Sequence, residues 1–246
     1  MIPTVKTMRR FYAPSDNFQD EQIRLDVDET RHLRDVLRLD IGEEVSVFDG
    51  TGREFRCVIG EIEKKRSSLT VIEEMASASP ESSFEITIAA TILNGDKYDL
   101  IIQKAVELGV SRLVPIQTIR CDVKLKDAAK RVERWRRIAL EATKQSGRAK
   151  LIEVAEPVSF EKLVGDVDGK TAVLFSERDG RDFSTVVAAK KITAIFGPKG
   201  GWDDSELEVA RSCGLNIVTL GGRILRAETA SIAITAILQH RFGDLN

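Results

Sequence analysis

Residues 192–206, ITAIFGPKGGWDDSE, decide the fold. An apolar β-type run, Ile192 to Phe196, breaks at Gly197, Pro198, Gly200 and Gly201, and Asp203 with Glu206 then stands at the spacing of a helix-capping box. A strand that ends in a glycine loop and restarts as a helix is the repeating step of an α/β domain. Glycines at such a point let the backbone approach a ligand closely, although a plain strand-to-helix turn explains one or two of them equally well. The pattern is neither GxxxxGK[ST] nor GxGxxG, so the usual triphosphate and dinucleotide cradles are not supported.

The same alternation extends on both sides. Strand-like runs fall at Ile86 to Leu93, Leu113 to Ile119, Thr171 to Ser176 and Asn216 to Leu220, with helix-like segments at Tyr98 to Leu108, Asp127 to Gln145, Ser205 to Cys213 and Thr229 to Gln239. This predicts a largely parallel sheet with helices on both faces, in which ligands bind at the carboxyl ends of the strands. A second glycine loop, LGGRILRAETA at 220–230, leads into SIAITAIL, a helix apolar nearly all round and so expected to be buried. Arg226 and Glu228 at its mouth read either as groups in a partly dry site or as a structural ion pair and cap.

The N-terminal part reads differently. Short β-type runs, Glu44 to Phe48 and Glu54 to Ile59, flank the turn signal Asp49-Gly50-Thr51-Gly52 and predict a hairpin in a small β-rich unit. One helix-like segment, Glu29 to Arg38, carries Leu33, Val36 and Leu37 at helical spacing. The stretch ASASPESS at 76–83 has the composition of a linker, so the expected domains are 1–75 and 76–246.

With 42% hydrophobic and 31% charged residues, the 246-residue chain has the composition of a soluble globular protein. Cys57, Cys121 and Cys213 lie far apart, with His32 and His240 the two histidines, so no metal-ligand spacing exists and no metal is expected. No run approaches the 18 apolar residues of a membrane span, and scattered thiols with no apolar leader make a cytoplasmic protein the expectation. The formal charge of -2 would discourage a nucleic-acid partner, but it is unevenly spread. Residues 1–75 hold 12 basic and 16 acidic side chains, whereas 120–150 hold 11 basic and four acidic ones. Within that window Val132, Trp135, Ile138, Ala139 and Ala142 mark one helical face, and Lys130, Arg134, Arg137, Lys144 and Arg148 another. The basic stripe is either a solvated face or a phosphate-binding surface. His32 reads as structural, and Trp135 as core rather than a base-stacking platform.

IFGPKGGW and LGGRILRAETA together resemble the signature of the SPOUT methyltransferases, specifically the RsmE-type enzymes that methylate N3 of a uridine in small-subunit (16S) ribosomal RNA. Three further stretches match that family: IIQKAVELGVSRLVPIQTIRC at 101–121, WRRIALEATKQSGR at 135–148 and HLRDVLRLDIGEEVSVFDGTG at 32–52. Two positions depart from it, Lys199 and Lys144 standing where the family usually has Glu. The resemblance implies an α/β fold, a SPOUT-type parallel sheet with a C-terminal trefoil knot, preceded by a small PUA-like β-barrel, acting as a homodimer. It implies S-adenosylmethionine as cofactor, with contacts at Leu174, Gly197, Pro198, Gly201, Leu220, Gly221 and Leu225. Arg226 is then expected to stabilise charge on the uracil carbonyls, and Glu228 to orient Arg226 or relay the proton. Small-subunit RNA, free or assembled, would be gripped by Arg9, Arg10, Arg31 and Arg38 and by Arg120, Lys124, Arg134, Arg137, Lys144 and Arg148. The competing readings are a SPOUT enzyme acting on another RNA and a non-catalytic RNA-binding protein.

Overall fold

The computed structural model describes residues 8–123, 128–187 and 190–245, and the chain divides into two units. The hairpin expected around Asp49–Gly52 organises the first. β1 (Arg10–Tyr12), β2 (Phe18–Gln19), β3 (Gln22–Leu25), β4 (Glu44–Phe48), β5 (Glu54–Ile62) and β6 (Ser67–Met75) form one sheet in the order β1-β4-β5-β6-β3-β2. Val45 pairs with Cys57 and Val47 with Phe55 across the hairpin, so the period-2 pattern sends these side chains to one face. There they meet Phe11, Ile23, Leu25, Leu33, Ile59 and Leu69 in one core. Gly50 and Gly52 sit at φ +83° and +119°, which only glycine adopts without strain, and they close the turn.

The expected helix from Glu29 to Arg38 is interrupted. Asp26 accepts a hydrogen bond from the Glu29 N–H at 2.8 Å, so α1 (Val27–Arg31) starts earlier, and a π-type turn over His32–Val36 follows. The wider turn buries Leu33 but leaves Val36 64% exposed, breaking the apolar face that the spacing implied. The first unit runs to Glu81 and takes in Thr143–Leu151, through bridges from Lys150 to Gly50 and Thr51 and from Arg148 to Ser79.

The second unit contains β7 (Glu85–Thr91), α2 (Asp96–Glu107), β8 (Arg112–Gln117), α3 (Ala128–Ser146) up to Ala142, β9 (Glu153–Val154), β10 (Val158–Ser159), α4 (Phe160–Asp166), β11 (Ala172–Phe175), β12 (Lys191–Phe196), α5 (Asp204–Ser212), β13 (Asn216–Val218) and α6 (Ala227–Phe242). Its sheet is parallel, in the order β10-β8-β7-β12-β11-β13, with β9 paired to β8. Alternate residues face opposite layers. Ile86, Ile88 and Ala90 pack with Ile101 of α2, Trp135 of α3 and Leu238 of α6, whereas Ala89, Leu174 and Ile195 pack with Phe160 of α4 and Leu207 of α5. Trp135 is buried against Tyr98, as core. In register, Phe175 pairs with both Phe196 and Val218, so the carboxyl ends of β11, β12 and β13 lie side by side. Three loops leave the sheet there.

Candidate active site

The first of these loops is held from several directions. After β12 the chain passes Gly197–Gly201 and turns Trp202 back into the core, where its indole N–H donates to the Phe175 carbonyl at 2.9 Å and its ring lies 5.0 Å from Phe160. A Cβ on Gly197 would stand 2.7 Å from that ring, so this backbone passes where no side chain fits. Gly201, at φ +71°, closes a turn by donating to the Pro198 carbonyl at 3.0 Å. Arg120, three residues past β8, donates to the Gly200 carbonyl at 3.2 Å and to Asp203 Oδ2 at 3.1 Å. Arg178, three residues past β11, donates to the Trp202 carbonyl at 3.0 Å and pairs with Asp204 at 2.8 Å. The predicted capping box forms, and the buried Glu206 also accepts the Ile119 N–H at 2.9 Å. The hydroxyl and N–H of Ser205, then Arg120, hold the Asp203 carboxyl below its ordinary range.

The loop after β13 has the opposite character. From Leu220 to Arg226 no main-chain N–H finds an acceptor among the described residues. Gly222 sits at φ +93°, Ile224 is 84% exposed, and Arg226 stands extended as the N-cap of α6 with no side-chain capping hydrogen bond. Yet α6 itself is anchored through the buried Ile234, Thr235, Leu238 and Gln239. A firm helix is thus entered from an exposed loop whose main-chain N–H groups have no protein acceptor among the described residues.

Between these loops lies a cavity of about 290 Å³. Its walls are Phe175, Ser176 and Glu177 past β11, Phe196–Trp202, and Leu220 with Gly222–Leu225, and Ala227, Ala230 and Ile234 of α6 complete it. Apolar surface with exposed main chain suits a small organic ligand with polar edges. No group of three or more His, Cys, Asp or Glu that could hold a metal exists among the described residues, nor does any helix there have the length and apolarity to cross a membrane.

Of the residues expected at a cofactor site, Gly197, Pro198, Gly201, Leu220 and Leu225 line this cavity. Leu174 does not: it is fully buried in the core on the α4–α5 side, and its neighbour Phe175 turns toward the cavity instead. Gly221 is passed over for Gly222. Arg226 and Glu228 lie just beyond the lining, Glu228 held by Lys97 at 3.4 Å in the first turn of α6. Glu177, Arg178 and Arg223 were not anticipated. The signal for the first two was the charged, glycine-containing SERDGRD after a strand-like run, a third carboxyl-end loop.

The basic stripe needs correction. Arg10 is bound bidentately to Glu54 at 2.8 and 3.0 Å and donates to the Lys144 and Arg148 carbonyls. Lys144 is ion-paired to Glu29, whose carboxyl burial pushes up despite that lysine. Arg148 is 3% exposed and pairs with Glu81 at 2.6 Å. These three cations fasten residues 143–151 into the first unit and are not a free phosphate-binding face. Arg134 pairs with Asp99, while Arg9, Arg31, Arg38 and Arg137 are exposed. Lys124 lies outside the described residues. His32 is exposed, its ring 6.1 Å from Phe11.

The RNA methyltransferase domain profile matches residues 80–239, and an RNA methyltransferase PUA domain profile matches 25–72. Ribosomal RNA small subunit methyltransferase E of Bacillus subtilis is 32% identical over 94% of this chain and 96% of its own length. The chain belongs to that methyltransferase family. A Neisseria gonorrhoeae member of the methyltransferase E family, solved bound to S-adenosyl methionine, superposes with a TM-score of 0.89 at 33% identity, covering 97% of this chain and all of that one. The methyltransferase Lpg2936 of Legionella pneumophila, solved with bound SAM, gives 0.90 at 28% identity over 97% and 99% of the two chains. The expected fold class therefore holds for this methyltransferase: a PUA-like N-terminal half-barrel precedes a parallel sheet consistent with a SPOUT-type knotted domain.

Proposed function

We propose that this chain methylates N3 of a uridine in small-subunit (16S) ribosomal RNA, with S-adenosylmethionine held at the carboxyl ends of β11, β12 and β13. The observation that carries the reading is the loop from Leu220 to Arg226, which borders the cavity with unspent main-chain donors. The family membership and the SAM-bound relatives support it.

The residues present fit that cofactor. Phe196, Leu220, Leu225, Ala230 and Ile234 would cover a purine, and the main chain of the two glycine loops would take its polar edges. Gly221, though off the lining, stays in the proposed set through its backbone, whereas Leu174, inside a strand paired to both Ile195 and Ile217, has its main chain taken by the sheet and leaves the set. The bound group supplies a methyl already activated on a sulfonium. Uridine N3 carries a proton and is a poor nucleophile until that proton leaves, so the protein's task is to lower the cost of the uracil anion and align it. Arg226, exposed and making no side-chain capping bond, stabilises the charge on the uracil carbonyls. Glu228 orients Arg226 or relays the proton. Because N3 lies on the Watson–Crick edge, the base must be unpaired before reaction.

Arg9, Arg31 and Arg38 of the first unit and Arg137 of the second supply RNA phosphate contacts in this reading, on the expected domains 1–75 and 76–246, while Arg134 would first have to leave Asp99. The working form is a cytoplasmic homodimer, for which the exposed Leu100 of α2 and Ile237 of α6 supply apolar surface.

The test incubates purified protein and S-adenosylmethionine with unmodified small subunits and reads nucleosides by mass spectrometry. 3-Methyluridine is expected. Another methylated nucleoside means a different RNA target, and RNA binding with no transfer leaves a binding protein. Arg226→Ala is expected to lower transfer by about 100-fold or more while S-adenosylmethionine still binds. Lost cofactor binding would move Arg226 into the cofactor site.

A further inference from the structure

We infer that Arg120 and Arg178 are positioning residues, a two-guanidinium clamp that holds the Gly200–Asp204 segment in its cofactor-binding shape. Arg120 would then have no role in binding RNA. The inference rests on the proposed function, because it takes the cavity to be the S-adenosylmethionine site.

The two arginines do the same thing from two sides. Each stands three residues past the end of a parallel strand, Arg120 after β8 and Arg178 after β11. Each takes one main-chain carbonyl of the glycine loop, Gly200 for Arg120 and Trp202 for Arg178. Each also takes one carboxylate at the start of α5, Asp203 and Asp204 respectively. A guanidinium suits this work because its planar fork donates in two directions at once, which an ammonium on a flexible stem does not reproduce. The Arg120 stem lies alongside Gly200, where an added Cβ would meet its Cβ and Cδ at 3.7 Å. Glu206 closes the arrangement, taking the N–H of Ile119 beside Arg120 and the N–H of Asp203 at 3.1 Å. Both guanidinium groups are already committed, so a phosphate would have to displace a carboxylate to reach either one.

Both arginines are partly exposed, 44% for Arg120 and 39% for Arg178, and such surface pairs contribute little to global stability. Their effect falls instead on the population of the binding-competent loop. If losing one arm lowers that population to about a tenth, the apparent Kd for cofactor rises about tenfold.

The experiment is calorimetric titration of S-adenosylmethionine into the full-length wild type, Arg120→Ala, Arg120→Lys and Asp203→Asn, with the salt dependence of binding to a small-subunit RNA fragment measured alongside. The expected result is a cofactor Kd raised about tenfold in all three variants. KM for S-adenosylmethionine rises, kcat at saturation is kept, and the slope of RNA affinity against salt stays unchanged. Asp203→Asn keeps a good helix cap, so it removes the clamp's carboxylate without unseating α5. An RNA role gives the reverse pattern and overturns the clamp: Arg120→Ala would bind cofactor as the wild type does and lose about 0.7 from the salt slope on a single-stranded target, and Arg120→Lys would behave as wild type. Unchanged cofactor affinity in Asp203→Asn also overturns it. A wild type that fails to bind S-adenosylmethionine sinks the proposed function itself, a different outcome from wild-type binding that the variants share.

Discussion

Two glycine loops line one cavity, and they are built in opposite ways. The loop after β12 is held by two arginines, a capping box and the buried Trp202, and it passes so close to that ring that Gly197 has no room for a Cβ. The loop after β13 carries no internal main-chain hydrogen bond among the described residues, and a Cβ on Gly221 or Gly222 would meet nothing within 4 Å. The first is shaped before any ligand arrives, which reduces the ordering cost of binding. The second, in the proposed function, offers its main-chain donors to the cofactor. A rigid wall and an unspent one together give a site that is specific yet open to entry.

Hydrogen exchange tests this contrast with the largest expected effect. At S-adenosylmethionine concentrations of 100 times Kd, exchange of amides that the ligand covers slows by about 100-fold. The slowing is expected between Gly221 and Arg226, with the Gly201 amide, already bonded to the Pro198 carbonyl, changing far less. Equal slowing in both loops would remove the distinction.

Glycine substitutions sharpen the same comparison at smaller magnitude. Gly197→Ala drives a Cβ against the Trp202 ring, which cannot retreat because Phe160 and the Phe175 carbonyl fix it, and such overpacking costs about 1–3 kcal/mol. Gly221→Ala meets open space, so its cost stays within about 0.5 kcal/mol. Urea denaturation of the two variants reads both values. Similar losses in the two would mean that the loops are equally packed.

Both loops were legible in the sequence for a local reason: an apolar run broken by glycine and followed by a capping box or an apolar helix needs no distant information, although α6 proves buried on one face only, with Ile237 exposed. The parallel sheet was legible from the same alternation. What the sequence hid depends on partners far along the chain. Arg10, Lys144 and Arg148 look like one solvated or RNA-facing set, yet their carboxylates stand 44, 115 and 67 residues away, at Glu54, Glu29 and Glu81. Leu174 shows a finer limit. In a strand, neighbours point to opposite faces, so a single position separates a residue buried in the core on the α4–α5 side from Phe175 on the cavity wall. The π-type turn at His32–Val36 hid for a similar reason, since one extra residue per turn carries Val36 off the face that helical spacing assigns it.

The smallest effect concerns the acid end of the pH scale, where the held loop alone should respond. Ser205 first and Arg120 after it keep the Asp203 carboxyl below its ordinary value of roughly 4. Below that value the unfolded chain binds the proton more readily than the folded one, so stability rises with pH across the window. The contribution is complete above the unfolded value and is lost as pH falls through the depressed folded value. Asp203→Asn keeps the cap but carries no titrating group, so it lacks this contribution at every pH. Denaturation of wild type and variant from pH 6 down to pH 3 is therefore expected to show a stability difference in the wild type's favour that closes as the medium becomes acid. The loop after β13 contains no such charge-held carboxylate among Leu220 to Arg226, so the closing difference belongs to the clamped loop. A difference that stays constant across the range would show that Asp203 acts through its shape and hydrogen bonds alone, and the contrast between the loops would then owe nothing to charge.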